Sequence, residues 1–379
     1  MRYIIGIDLG TTNCCVSYLD THASRPTIQK FRIPQLTGPG TVEAAEILPS
    51  FCYLAAEGEL PTGALQLPWS KNEKECVGCY AQDNGARIPT RLISSAKSWL
   101  CHAAASRRER ILPFEAAEET RRLSPTEAIA RYLAHIRFAW NHQMAKKDAD
   151  AALELQEVII TVPASFDEVA RTLTADAARM AGIEKLTFLE EPQAAFYSWI
   201  AHHESECSRL LKAGDKILVC DVGGGTTDFS LIEVEARQET IAFQRVAVGD
   251  HLLLGGDNID LTLAHWIEKK LSNEGAGELS TRQWMQLVHL AKTAKEDLKG
   301  ALEDYNKSIE LASDAETLNL RGVLKHTMTD YEGAIADYTK AIELDDTNPT
   351  YFDNRALSRS EKEDYAGAVE DYSTSIELY

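Results

Sequence analysis

Gly6-Ile7-Asp8-Leu9-Gly10-Thr11-Thr12-Asn13 closes a short apolar run over residues 2–8, and Asp221-Val222-Gly223-Gly224-Gly225-Thr226-Thr227-Asp228 repeats its plan behind a second run over 216–221. In both, an aspartate ends a strand-like segment, glycine follows, and paired threonines come next. Glycine lets backbone N–H groups approach an anion with no Cβ in the way, and the threonine hydroxyls add donors. Two carboxylates beside those donors would repel phosphate, so Asp8 and Asp221 suit a cation between them, Mg²⁺ held through water. A lone glycine-rich turn is commonly just a tight turn. Two matched ones point to a polyphosphate gripped from both sides, by Gly10, Thr11, Thr12 and Asn13 on one side and Gly223, Gly224, Gly225, Thr226 and Thr227 on the other. The chain has no Gly-x-x-x-x-Gly-Lys-Ser/Thr run, which excludes a Walker-type loop.

The sequence between and around these turns alternates between strand and helix signals. Residues 158–162 are a further apolar run suited to a buried strand, as are 2–8 and 216–221. Ser124-Pro125-Thr126-Glu127 has the form of a capping box and predicts a helix to about Ala145. Asp167 is placed to cap a second helix that stops before Gly182. Pro- and Gly-rich stretches at 36–40 and 58–68 read as surface loops, and His202-His203-Glu204-Ser205-Glu206 as a solvated connection. The eight cysteines read as free thiols rather than a disulfide framework. Cys76 and Cys79 have metal-type spacing with Cys101-His102 downstream, but zinc needs two converging pairs and only one is clear. Cys14 and Cys15 are expected on opposite faces of a strand.

After residue 300 the pattern changes. Ala301-Leu-Glu-Asp-Tyr305 returns as Ala334-Ile-Ala-Asp-Tyr338 and again as Ala368-Val-Glu-Asp-Tyr372, at intervals of 33 and 34 residues. A period of 34 with helical patterning is the signature of the tetratricopeptide repeat, a helix–turn–helix unit. Gly322 and Ala356, 34 apart, supply small residues where paired helices approach. Two full repeats follow one isolated second helix, and a helix over 281–299 is the candidate to stand in for the missing first one. The tyrosine and alanine stripes read as core, so binding falls to the concave groove. Its candidate positions, Asn319 and Val323 with Asp353 and Leu357, lack the lysines of a carboxylate clamp and suit a basic or neutral protein partner.

The 379 residues carry 39 Lys and Arg against 58 Asp and Glu, a net charge of −19. Of that, −11 lies beyond residue 300, and the excess of acid argues against a nucleic-acid partner and against a polybasic membrane anchor. No apolar run approaches the ~20 residues of a membrane span, and a soluble cytoplasmic protein is expected.

Residues 6–16, Ile159-Ile160-Thr161-Val162-Pro163-Ala164-Ser165-Phe166, 176–182, Glu190-Glu191-Pro192-Gln193-Ala194-Ala195, 221–228 and Gly255-Gly256-Asp257-Asn258-Ile259-Asp260 occur in an order that resembles the nucleotide-binding domain of the 70-kilodalton heat-shock (DnaK-like) chaperones. The resemblance implies an α/β fold, an actin-like (ribonuclease H-like, duplicated) two-lobed ATPase domain over 1–299. Lobe I would cover about 1–200 and a partial lobe II about 214–299, with all-α tetratricopeptide repeats over 300–379. It implies ATP or ADP with water-held Mg²⁺ at Asp8 and Asp221. It makes Glu191 the residue that orients the attacking water, aided by Thr226, and places Lys295 on a helix against the adenosine. Pro163 and Arg171 match the pair that relays nucleotide state, and chaperone clients or co-chaperones become the expected partners. Three departures stand out, one of them Lys299 where the family has a serine just after the adenosine-helix leucine. Gln82 occupies the position of the family's phosphate-facing lysine, and the repeats begin where the rest of lobe II and a peptide-binding domain would follow. The readings are therefore a Mg-ATP-binding chaperone-like ATPase coupled to a repeat module, or a pseudo-ATPase scaffold acting through its repeats.

Overall fold

Alternation of apolar residues makes the first strand: β1 (Tyr3–Leu9) buries Tyr3, Ile5, Ile7 and Leu9 on one face. The chain turns at residues 10–12 into β2 (Asn13–Asp20), which pairs antiparallel with Asp8 opposite Cys15. Cys14 is buried and Cys15 exposed, on opposite faces as expected. Short strands follow, β3 (Gln29–Lys30), β4 (Ile33–Gly38), β5 (Thr41–Ala45), β6 (Ile47–Pro49), β7 (Cys52–Leu54) and β8 (Glu75–Val77), then α1 (Cys79–Arg87), β9 (Leu92–Ile93) and the four-residue α2 (Ala96–Trp99). Part of the expected loop at 36–40 is strand: Leu36 is buried in β4, and only the tip of the β4–β5 hairpin needs the turn residues, with Gly40 at φ 67°.

Helix α3 (Pro125–Gln143) begins at the expected capping box, where Glu127 N donates to Ser124 Oγ at 3.1 Å and Ser124 N to Glu127 Oε2 at 2.8 Å. Strand β10 (Glu157–Val162) then lies parallel to β1, α4 (Glu168–Met180) is capped by Asp167, and β11 (Leu186–Glu190) lies parallel to β10. Parallel neighbours need crossovers, which α3 and α4 supply. The resulting sheet runs β11-β10-β1-β2-β3, with β6 also on β2. Trp140 of α3 is fully buried on it among Tyr3, Tyr18 and Phe31, its indole N–H on the Ala151 carbonyl at 2.9 Å.

Helix α5 (Glu191–His202) leads to β12 (Lys216–Val222), β13 (Thr227–Arg237), β14 (Thr240–Val248) and α6 (Gly256–Asn273). The β12–β13 hairpin copies the β1–β2 hairpin: an aspartate near the end of the first strand, a glycine-threonine turn, then antiparallel return, with Asp221 opposite Asp228. This second sheet has three strands, order β12-β13-β14. Strand β12 is not the fully buried strand expected for 216–221. It is an edge strand, and alternation leaves Leu218, Cys220 and Val222 exposed on one face.

Helix α7 (Thr281–Leu311) is one unbroken helix of 31 residues, so the 281–299 segment and the repeat-like 301–311 segment form a single element. Nothing at the junction breaks it; Gly300 is tolerated inside the helix. Antiparallel pairs follow, α8 (Ala315–Thr327) with α9 (Tyr331–Leu344), and α10 (Pro349–Glu361) with α11 (Tyr365–Leu378). Asp314, Asp330 and Asn348 cap three of them. The chain divides into two compact units, Met1–His289 and Leu290–Tyr379, with the division inside α7.

The computed structural model describes all residues except 72–73, 102–106, 115, 117–119, 204–209, 238–239, 250–251, 253, 274–278, 312–313 and 379. His102 and residues 204–206 of the polar connection thus lie outside the described residues. Among those described, no helix is long and apolar enough to cross a membrane.

Candidate functional site

The first turn is fixed from lobe I. Ser50 Oγ donates to the Gly10 carbonyl and Ser50 N to the Thr12 carbonyl, both at 2.8 Å. The second turn is fixed from α6: the amides of Gly256 and Asp257 donate to the carbonyls of Gly223 and Gly224, at 3.1 and 2.7 Å. A side chain on Gly255 would strike those same two carbonyls, about 2.6 Å away, which explains the glycine in that motif. The two turns meet face to face. A Cβ on Gly224 would collide with the Thr12 hydroxyl, and one on Gly225 would lie 2.5 Å from Ser98 Oγ and 3.1 Å from the Thr11 methyl. Only glycine permits this approach.

Between the turns lies a cleft of about 840 Å³, within the range of small-molecule sites. Asp8, Gly10, Thr11, Thr12 and Asn13 line it from the first turn, and Asp221, Gly223, Gly224 and Thr226 from the second, with Glu191 also in the lining. Gly225 sits behind the turn against Ser98, and Thr227 is engaged elsewhere, its hydroxyl on the Leu254 carbonyl at 2.7 Å. Lys295 belongs to α7, in the second unit. Thr161 Oγ1 donates to Asp8 Oδ1 at 2.6 Å, and Ser165 Oγ to Asp228 Oδ1 at 2.6 Å.

The signature Glu190-Glu191 splits between two networks at the start of α5. Glu190 accepts from Arg171 at 3.1 Å and forms an ion pair with Arg245 of β14. Arg171 Nε also donates to the Phe166 carbonyl at 3.3 Å, and Phe166 N to the Pro163 carbonyl at 3.2 Å, so the expected relay pair is joined through Phe166. Glu191 turns the other way and forms an ion pair with Lys97 of α2.

Lys97 was not foreseen from sequence. It is the only cationic side chain lining the cleft among the described residues, and Gln82 on α1 is not part of that lining. Its one local signal is a run of small residues, Ser94-Ser95-Ala96-Lys97-Ser98, that packs tightly around a lone lysine. Burial works against the Lys97 ammonium, but Glu191 and Asp8 outweigh it and hold its pKa above the usual lysine value. Burial pushes the Glu191 carboxyl up, and Asp8 and Asp221 add to this against the pull of Lys97. Burial, Asp228 and Asp8 likewise raise Asp221. The cleft thus holds more negative charge than Lys97 balances, which fits a cation. Among the described residues no group of three His, Cys, Asp or Glu is arranged to ligate a metal directly, so the donor set fits one held through water.

The Hsp70 protein family model matches residues 71–330, over half of the chain. The chain belongs to the Hsp70 family. Membership gives the first unit the actin-like ATPase fold, of which the two copied hairpins are the core. The Hsp70 match begins after β1 and β2, so the first turn rests on the structure's own duplication rather than on the matched residues. It runs on past 299, where the motif resemblance ended, through α7 and α8. A tetratricopeptide-repeat model matches residues 315–348, the α8–α9 pair. This Hsp70-family chain therefore joins a chaperone-like module to a repeat interaction module.

Proposed function

We propose that the first unit binds Mg-ATP and Mg-ADP in the cleft between its two glycine-threonine turns and hydrolyses ATP, while the repeats hold a protein partner. The observation that carries this reading is the meeting of Thr11 and Thr12 with Gly224 and Gly225. Thr11, Thr12, Asn13, Gly223, Gly224 and Thr226 would cradle the phosphates, with Gly225 and Thr227 holding the turn's shape. Mg²⁺ held by Asp8 and Asp221 through water would neutralise phosphate charge. Glu191 would orient a water whose oxygen bonds to the γ-phosphorus as the bond to the bridging oxygen breaks. The electron pair leaves with ADP and the proton passes to the Glu191 carboxylate. Phosphoryl transfer rests mainly on such positioning and charge neutralisation.

In the repeats, Val323 and Leu357 are exposed at equivalent positions of α8 and α10, 34 apart, beside the hydrogen-bonded Asn319 and Asn354. This apolar stripe suits a neutral or basic segment of a client or co-chaperone.

Millimolar Mg-ATP or Mg-ADP should raise the melting temperature of the full chain by about 5 °C at a hundredfold excess over Kd. No shift from a folded sample overturns the proposal. The second reading is binding without turnover. Phosphate release that Glu191→Ala abolishes eliminates it, and nucleotide binding with no release establishes it.

A further inference from the structure

We infer that Thr161 and Ser165 are positioning residues: from one short segment beside the first sheet they fix carboxylates of both copied hairpins, and with them the place of a water-held cation between Asp8 and Asp221. This rests on the nucleotide and magnesium reading above. The two residues lie at the end of β10 and in the turn that follows it. Thr161 Oγ1 donates to Asp8 Oδ1 on the first hairpin, and Ser165 Oγ to Asp228 Oδ1 on the second, both at 2.6 Å. That length is in the range of a hydroxyl donating to an ionised carboxylate.

Register accounts for the first contact. Ile7 pairs with Ile160 in the parallel β1–β10 ladder, and both are buried. Side chains alternate along a strand, so the next residues, Asp8 and Thr161, turn to the opposite face and line the cleft. Strand propensity explains a threonine here but not its bond to Asp8. Asp8 is exposed, so water suffices for its carboxylate, and holding it in one orientation costs side-chain entropy. Among the described residues, the hydrogen-bond partner of its Oδ2 is the Cys15 thiol, at 4.0 Å. Thr161 thus occupies one oxygen and leaves the other for a hydrated cation. The second contact works through a neighbour. Asp228 stands opposite Asp221 in the β12–β13 pair and is 1% exposed. A buried charge needs donors, and Ser165 supplies one. Between and behind the two hydroxyls the backbone is braced: Phe166 N closes the turn on the Pro163 carbonyl, Arg171 Nε donates to the Phe166 carbonyl, and Asp167 caps α4. One braced segment therefore grips Asp8 directly and Asp221 through its cross-strand partner.

The test is calorimetric binding of ADP to the full chain, with Mg²⁺ and with EDTA, in wild type, Thr161→Val, Thr161→Ser and Ser165→Ala. The readout is the Mg²⁺ gain, the ratio of the two dissociation constants. Groups that orient metal-binding side chains are worth about tenfold or more in metal affinity, so Thr161→Val should cut the gain by about tenfold. Ser165→Ala should cut it in the same direction. Metal-free ADP affinity should not change in either variant, and Thr161→Ser, which keeps the hydroxyl, should keep the gain. Hydroxyls that serve only the fold would weaken ADP equally with and without Mg²⁺. That result in folded variants overturns the inference, and so does an unchanged gain. If one of Thr161→Val and Ser165→Ala does not fold, the other is read by the same ratio. Wild type that binds ADP in neither condition overturns the parent proposal, and this inference falls with it. Wild type that binds ADP and gains from Mg²⁺, with the same gain in the variants, overturns the inference alone.

Discussion

At single residues of the first unit, burial acts on titratable groups with different results according to what accompanies it. Glu191 is buried beside one cation and two carboxylates and is pushed up. His135 of α3 is buried with no ionic partner opposing the effect. Burial lowers its pKa to about 4, only partly countered by its Nε2 on the Pro34 carbonyl at 2.8 Å. The folded value lies below the unfolded one of roughly 6.5. The unfolded chain therefore takes up a proton as pH falls through 6.5, while the folded one waits until about 4. The stability held by neutral His135 is present above 6.5 and lost between there and 4, about 2 kcal/mol by pH 5. A proton NMR titration of the His135 ring should show no movement between pH 7 and 5. A midpoint near 6.5 would refute the assignment. None of this was visible in sequence, because an isolated histidine on an apolar helix face carries no mark of its partner. Lys97 was hidden for the same reason. Asp8, Asp221 and Glu191 sit in local motifs that can be read by eye, whereas a lysine that reaches the cleft from another element has no fixed spacing from them.

At the level of elements, the hairpin turns and capped helices were legible and the covering of strands was not. The box at Ser124–Glu127 and the cap at Asp167 work through contacts three residues apart, so sequence contains the whole interaction. An apolar run such as 216–221 says that a strand forms, but only the neighbouring elements say whether both faces are covered, and β12 has one face open. The junction near 300 was also illegible: a change of repeat pattern suggests a break, yet helix formation needs only continued backbone pairing, and α7 passes through. Two glycines in this region make opposite predictions for one substitution. A Cβ on Gly300 meets nothing within 4 Å, so Gly300→Ala should stabilise α7 by about 1 kcal/mol through helix propensity. A Cβ on Gly322 would lie 2.5 Å from the Tyr338 ring, which is fully buried, so Gly322→Ala should overpack the α8–α9 pair. The cost of about 1–3 kcal/mol exceeds the propensity gained. Thermal melts of the two variants should move in opposite directions. A rise in both would show that the Tyr338 contact does not limit α8 and α9.

For the whole molecule, the uneven charge has a structural counterpart. Among the described residues, the acidic repeats bury carboxylates where cations meet them, Asp337 with Arg321 and Lys325, and Asp371 with Arg355 and Arg359, the two triads offset by 34 residues. Against burial, which pushes the Asp337 carboxyl up, Arg321 and Lys325 hold it below its ordinary value. These pairs and the small cluster of Leu318, Ala341 and Tyr351 belong to the second unit, while the cleft between the two turns and the large core around Trp140 belong to the first. A ligand stabilises what it binds in the native state by mass action, about 2.7 kcal/mol at a hundredfold excess over Kd. Amides that exchange only on unfolding of the first unit, in β1, β10 and α3, should then slow by about a hundredfold with saturating Mg-ATP, since 1.4 kcal/mol is a factor of ten. Amides of α8 to α11 should keep their rates. Mass spectrometry of peptides during hydrogen exchange separates the two sets. Equal slowing in both would show that the repeats unfold only together with the first unit. Slowing confined to the repeats would place the nucleotide outside the cleft and overturn the assignment of Asp8, Thr12 and Gly224 to phosphate.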